Sequence, residues 1–123
     1  MKAIVLDKFS EAANMHKLML EELGYGVLIL PDGLQVQQYF EEHPGQVGLL
    51  LLCYESCIVG RRPFPEGIIE IAQEQSTLVV VMTTGANKAK IDLLPIQVSA
   101  LVKPFSADNL ISAIQNAQWL KEL

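Results

Sequence analysis

Cysteine is scarce in this chain: Cys53 and Cys57 are the only two in 123 residues, too few for a disulfide framework. Neither stands at zinc-ligand spacing from His16 or His43, so the sequence carries no Cys/His metal pattern. Basic residues are also few. Nine Lys and Arg face fourteen Asp and Glu, the formal net charge is -5, and Arg61-Arg62 is the one adjacent basic pair. Phosphate neutralisation needs a Lys/Arg cluster, so nucleic-acid binding by this domain alone is not expected. Apolar runs such as Leu49 to Cys53 fall far short of the roughly 20 residues a membrane helix needs. A strand-like run begins directly after Lys2, with no signal-peptide pattern, and a cytoplasmic location without membrane contact is the expectation. No Gly-rich loop follows that first run, where Asp7-Lys8-Phe9-Ser10 stands instead. This argues against a flavin or nucleotide carrier, and no cofactor is expected.

What remains is a composition that folds. Half the residues are apolar and 19% are charged, well away from disorder, and the length suits a single domain spanning 1-123. Five short apolar runs, at 3-6, 27-30, 47-52, 78-82 and 98-102, alternate with helical patterns. Ser10 offers an N-cap to a first helix with Ala12, Met15, Met19 and Leu23 on one face, and Gly24 stops it. Pro31-Asp32-Gly33 ends the second strand, and Leu34 to Glu42 reads as a short second helix carrying Leu34, Tyr39 and Phe40 before Pro44 stops it. Ile68, Ile69, Ile71 and Ala72 mark the third. Asn87 to Leu94 has room for two turns before Pro95, so the fourth helix should be short. Ser106 caps the last helix, whose Leu110, Ala113, Ile114, Ala117 and Leu120 share a face. Continuous rather than alternating apolar strands mean a parallel sheet buried on both faces by crossover helices. The expected fold is α/β: a flavodoxin-like, doubly wound (βα)5 sandwich of three layers, with strand order 2-1-3-4-5. In such a sheet the carboxyl ends of the strands line one crevice, so Asp7, Cys53, Thr83 and Lys103 should meet there.

Several segments resemble the receiver domain of two-component response regulators: Lys2-Ala-Ile-Val-Leu-Asp7, Leu20-Glu-Glu-Leu-Gly24-Tyr, Gly48-Leu-Leu-Leu-Leu-Cys53, Val79-Val-Val-Met-Thr83-Thr84 and Leu101-Val-Lys103-Pro104-Phe105. The likeness spans nearly the whole chain. It implies adjacent acids after the first strand, an acceptor aspartate after the third, Thr or Ser after the fourth, and Lys followed by a cis proline after the fifth. Here Asp7 matches one acid, but Lys8 replaces the other. Cys53 takes the acceptor place, while Thr83, Thr84, Lys103 and Pro104 match. An acyl phosphate needs a carboxylate, and magnesium prefers hard oxygen ligands, of which Asp7 is the only remaining candidate. Placing Glu55 as acceptor would need two extra strand residues. The expectation is therefore a degenerate pseudo-receiver, not an enzyme, which acts in phosphorelay signalling as a protein-interaction module. Two alternatives stay open: a conventional phospho-accepting regulator, or a thiol-based sensor using Cys53, since a neighbouring ammonium favours the thiolate.

The expected partners are a signalling protein or an output domain. A long loop from Cys53 to Gly67 carries Arg61, Arg62 and Phe64, which could form a docking surface, or Phe64 could pack into a satellite of the core. Trp119 lies about 180° around the last helix from Leu110 at roughly 100° per residue, so it points off the core. That placement suggests a homodimer through the last helix.

Overall fold

A computed structural model of the chain describes residues 1–61 and 63–123, with Arg61 described by its backbone alone. The loop residue Arg62 and the Arg61 side chain, both read as docking groups, thus lie outside the described residues. The elements run β1 (Lys2–Leu6), α1 (Ser10–Glu22), β2 (Gly26–Leu30), α2 (Gly33–Glu42), β3 (Val47–Cys53) and α3 (Tyr54–Cys57). They continue with a 3-10 turn (Val59–Arg61), α4 (Glu66–Glu74), β4 (Leu78–Thr84), a second 3-10 turn (Gly85–Asn87), α5 (Lys88–Asp92), β5 (Ser99–Lys103) and α6 (Ala107–Glu122). All strand pairings are parallel and the order is β2-β1-β3-β4-β5, as the alternating pattern predicts.

The leucine run of β3 shows why its strands read as continuous. Leu50 and Leu52 face one core with Val36, Phe40, Ile68 and Ile69, while Leu49 and Leu51 face the other with Ala13, Leu20, Leu110 and Ala113. Both sheet faces are dry, so alternation has no polar side to show. Buried hydroxyls satisfy the backbone where the layers meet. Thr77 Oγ1 donates to the Val47 carbonyl at 2.7 Å, and Ser99 Oγ donates to that of Ala113 at 2.7 Å.

Helix boundaries follow their caps. Asp32 accepts the Gln35 N–H at the start of α2, and Ser106 forms a capping box with Asn109 at the start of α6. Gly24 takes φ +96 just past α1, a left-handed value that glycine adopts without strain. Ser10 does not cap α1, however: it is the first helical residue, and Phe9 precedes it without a side-chain cap. The inward face of α1 is also rotated from the expected one. Ala13, His16 and Leu20 are buried, whereas Met15 is 63% exposed. The more apolar stripe lost to one containing a histidine, because His16 stacks on Phe105 with centroids 4.9 Å apart and lies against Asp7. In α2, Leu34 is exposed and Val36 joins Phe40 inside. The short fourth crossover is present as α5, five residues behind a 3-10 turn. The long connection after Cys53 is not all loop, since α3 folds at once from the strand end.

Candidate functional site

Register brings the strand ends together. Leu6 pairs with Leu52, Cys53 with Met82 and Thr84 with Lys103, so the residues closing β1, β3, β4 and β5 share one edge. Asp7, Cys53 and Lys103 do meet there. From the end of β5, Lys103 extends across β4 and places Nζ 3.2 Å from Cys53 Sγ and 3.7 Å from Asp7 Oδ2. The Asp7 side chain is wholly buried. Its Oδ1 accepts the Phe9 N–H at 2.9 Å and the Ser56 hydroxyl at 3.2 Å. Ser56 Oγ in turn accepts the Lys8 N–H at 3.1 Å. The Lys8 side chain is exposed, with Nζ 5.6 Å from the Phe9 ring centre, so its charge stays at the rim. Lys103-Pro104 is cis.

Thr83 does not join that trio. Along β4, Val81 and Met82 face opposite cores, so strand alternation turns Thr83 to the side of Val81. There its hydroxyl donates to Glu55 Oε2 at 2.7 Å, and Asn87 Nδ2 donates to the same oxygen at 2.7 Å. Burial works to raise the Glu55 pKa. Hydrogen bonds from Thr83, Asn87 and the backbone of Glu55 and Thr84 outweigh it, and hold the carboxyl below its ordinary 4.5. Thr84 itself is exposed at the strand tip. The crevice therefore has two halves, Asp7-Cys53-Lys103 and Thr83-Glu55-Asn87, joined through the adjacent Ser56.

The strand-end pattern assigns none of Glu55, Ser56, Asn87 and His16 to the crevice, and it rejects Glu55 as an acceptor. Glu55 does not replace Cys53 as the strand-end residue. It reaches the crevice because α3 turns the chain back over the strand ends, which makes it a neighbour of Thr83 from two residues further on. A carboxylate so soon after the third strand, beside a Thr and a Lys short of acids, was the available signal. His16 Nδ1 lies 3.9 Å from Asp7 Oδ2, too far for a hydrogen bond, and among the described residues neither buried atom has a hydrogen-bond partner. Burial, and then the charge of Lys103, lower the His16 pKa against the pull of Asp7, so the ring is neutral at neutral pH. Cys57 is a poorer nucleophile still, because burial, and then Cys53, Asp7 and Glu55, push its thiol up to about 12.

No protein-family model matches the chain, and no curated protein matches it. Solved structures do. A response regulator receiver domain protein from Clostridium thermocellum superposes with TM-score 0.71 at 22% identity, covering 98% of this chain and 96% of that one. The N-terminal domain of a response regulator/sensory box/GGDEF 3-domain protein from Carboxydothermus hydrogenoformans gives 0.75 at 20% identity, covering 99% and 97%. The anti-anti-sigma factor PhyR from Bartonella quintana gives 0.71 at 20%, covering 98% of this chain and 49% of that one. The chain has the receiver-domain fold. Identities this low carry the fold and leave the chemistry to the side chains.

A receiver fold implies magnesium at this crevice, and the donors here do not fit it. The octahedral shell wants hard oxygens, yet Asp7 Oδ2 has an ammonium at 3.7 Å and the neighbouring strand end supplies sulfur. Among the described residues Glu55 Oε1 has no hydrogen-bond partner, while its other oxygen is committed to Thr83 and Asn87. Among the described residues no group of three His, Cys, Asp or Glu is arranged to hold a metal ion. Nor, among them, is any helix long and apolar enough to cross a membrane.

Proposed function

We propose that this chain is a degenerate receiver, a single domain over 1-123 that serves two-component or phosphorelay signalling as a cytoplasmic protein-interaction module without aspartyl phosphorylation and without enzymatic activity. The observation that carries this reading is Cys53. At the strand end where the resemblance implies an acceptor aspartate, a fully buried thiol accepts the Lys103 ammonium at 3.2 Å. A phosphoryl group transferred there would form no acyl phosphate. The two carboxylates of the crevice are otherwise engaged, Asp7 by Lys103, Ser56 and the Phe9 amide, Glu55 by Thr83 and Asn87. Incubation with acetyl phosphate and magnesium should therefore leave the intact mass unchanged, and a magnesium titration should show no saturable site. A stoichiometric, hydroxylamine-labile phosphoryl adduct would restore the conventional phospho-accepting reading.

Information then passes by docking. Phe64 is half-buried and packs on Tyr54 with ring centres 5.2 Å apart, so much of it is committed to the core. Trp119 is free of that commitment: it is 56% exposed on α6, while Leu110, Ala113 and Ala117 turn inward. A signalling partner, or a second copy meeting through α6, would use it as an aromatic anchor. Truncating a central anchor costs about 2 kcal/mol, roughly a 30-fold weaker association. Trp119→Ala should weaken association by that order in sedimentation across a concentration series, and leave the thermal melt nearly unchanged. A large drop in melting temperature, or unaltered association, would remove α6 as the interface.

A further inference from the structure

Lys103 and Cys53 are close enough to react with each other. From the 3.2 Å Nζ–Sγ contact we propose that the crevice is an oxidative modification site, in which hydrogen peroxide converts Cys53 and Lys103 into a covalent sulfur–nitrogen cross-link. This rests on the reading above only in that a thiol holds the acceptor position. The neighbourhood selects this sulfur: a cationic partner is the setting in which thiols turn reactive, while Cys57 is held as a thiol by burial and by the acids around it. Access runs along the lysine. Its side chain is 21% exposed and lines a groove of about 340 Å³ with Met15, Met19 and Phe105; Cys53 is wholly buried and does not line that groove, so the oxidant reaches the sulfur only when the ammonium shifts.

The chemistry balances in two steps. Peroxide transfers an oxygen to sulfur: its O–O bond breaks, an S–O bond forms, and the thiol proton leaves in water, giving the sulfenic acid. Lys103, having released one proton to solvent, then attacks the sulfenyl sulfur through its free amine. The S–N bond forms as the S–O bond breaks, and hydroxide leaves with an amine proton as a second water. One peroxide is reduced, the sulfur gives up two electrons, and the chain loses two hydrogens. The product ties β3 to β5 across β4 and erases the lysine's charge, leaving Asp7 without its counter-ion.

The test is intact mass and proteolytic mapping of the reduced chain after limited peroxide treatment near neutral pH. Expected is a species lighter by two hydrogens, with the Cys53 and Lys103 peptides joined, reverting with dithiothreitol. It should persist in Cys57→Ser and be lost in both Lys103→Arg, which keeps the charge, and Lys103→Gln, where Cys53 goes on to sulfenic and higher oxides. Oxygen added at Met15 or Met19 maps to other peptides. Loss of two hydrogens that survives in the lysine variants and vanishes in Cys57→Ser would show a Cys53–Cys57 disulfide and overturn the proposal. So would oxidation of wild-type Cys53 to sulfinic acid without a linked species, or no oxidation of Cys53 at all. The phosphoryl assay on reduced protein is independent: an adduct there defeats the degenerate-receiver reading, and a missing cross-link defeats only this one.

Discussion

Asp7→Ala should lower the unfolding free energy by about 3 kcal/mol, the low end of what removing one partner of a buried ion pair costs. The low end applies because Lys103 keeps an exit to solvent: its side chain is 21% exposed, against none for Asp7. The substitution also strands the Phe9 N–H and frees the Ser56 hydroxyl, both of which Asp7 Oδ1 accepts. At this chain length the loss corresponds to a melting temperature lower by about 10 °C. The sign matters more than the size. In a crevice of clustered acids built to hold a cation, like charges repel, so deleting one acid from the empty site relieves strain and stabilises the fold. Here Asp7 is the counter-charge of Lys103, and deletion should destabilise. Lys103→Met in the Asp7→Ala background should recover part of the loss, since the uncompensated ammonium goes with it. Chemical denaturation of the four proteins in that cycle reads the coupling. A more stable Asp7→Ala protein would mean that the acid is frustrated and the crevice still built for a cation, against the degenerate reading.

The sheet was legible because its signals are local and redundant. Strand runs such as Leu49 to Leu52 are apolar at every position, and only burial on both faces tolerates that. Strand order and the meeting of Asp7, Cys53 and Lys103 follow from topology, and the 100° helical period places Trp119 outside the core. Less legible was whatever depended on one side chain choosing a specific partner. The hydrophobic stripe of α1 pointed to Met15 and Met19, but stacking on Phe105 and proximity to Asp7 drew His16 inward instead. Glu55 stands two residues past the strand end, so strand position alone gives it no place in the crevice. What brings it in is a four-residue helix, too short to leave a period in the sequence. The strand-end rule groups Thr83 with the other three, but pleat direction gives it to Glu55.

The Glu55 latch carries the second large effect, because two donors and the local backbone depend on one carboxylate. Glu55→Ala leaves the wholly buried Thr83 hydroxyl and the Asn87 amide without their acceptor. Hydrogen bonds to a charged group contribute about 1.5–3 kcal/mol. Since Glu55 is only partly buried and water can replace some of what is lost, about 2 kcal/mol of destabilisation is expected. Glu55→Gln keeps one acceptor oxygen and should cost about half as much. Acid separates charge from shape. The folded carboxyl titrates below its ordinary 4.5, so as pH falls past that value the unfolded chain takes up the proton first. The stability due to ionised Glu55 is thus present above 4.5 and drains away as pH falls through the folded pKa. His16 adds a slope of the same sign beginning higher, near 6.5, because its folded pKa is also depressed, and that slope is common to wild type and Glu55→Gln. The stability gap between those two proteins should therefore hold steady down to about pH 4.5 and close below it. Urea unfolding at a series of pH values measures the gap. Hydrogen exchange should meanwhile show faster opening at Asn87 and Lys88 in Glu55→Ala, where the start of α5 has lost its tie to α3. A gap that stays constant through the acid range, or a Glu55→Ala protein as stable as wild type, would mean that the carboxylate is a bystander and that Thr83 is satisfied by water.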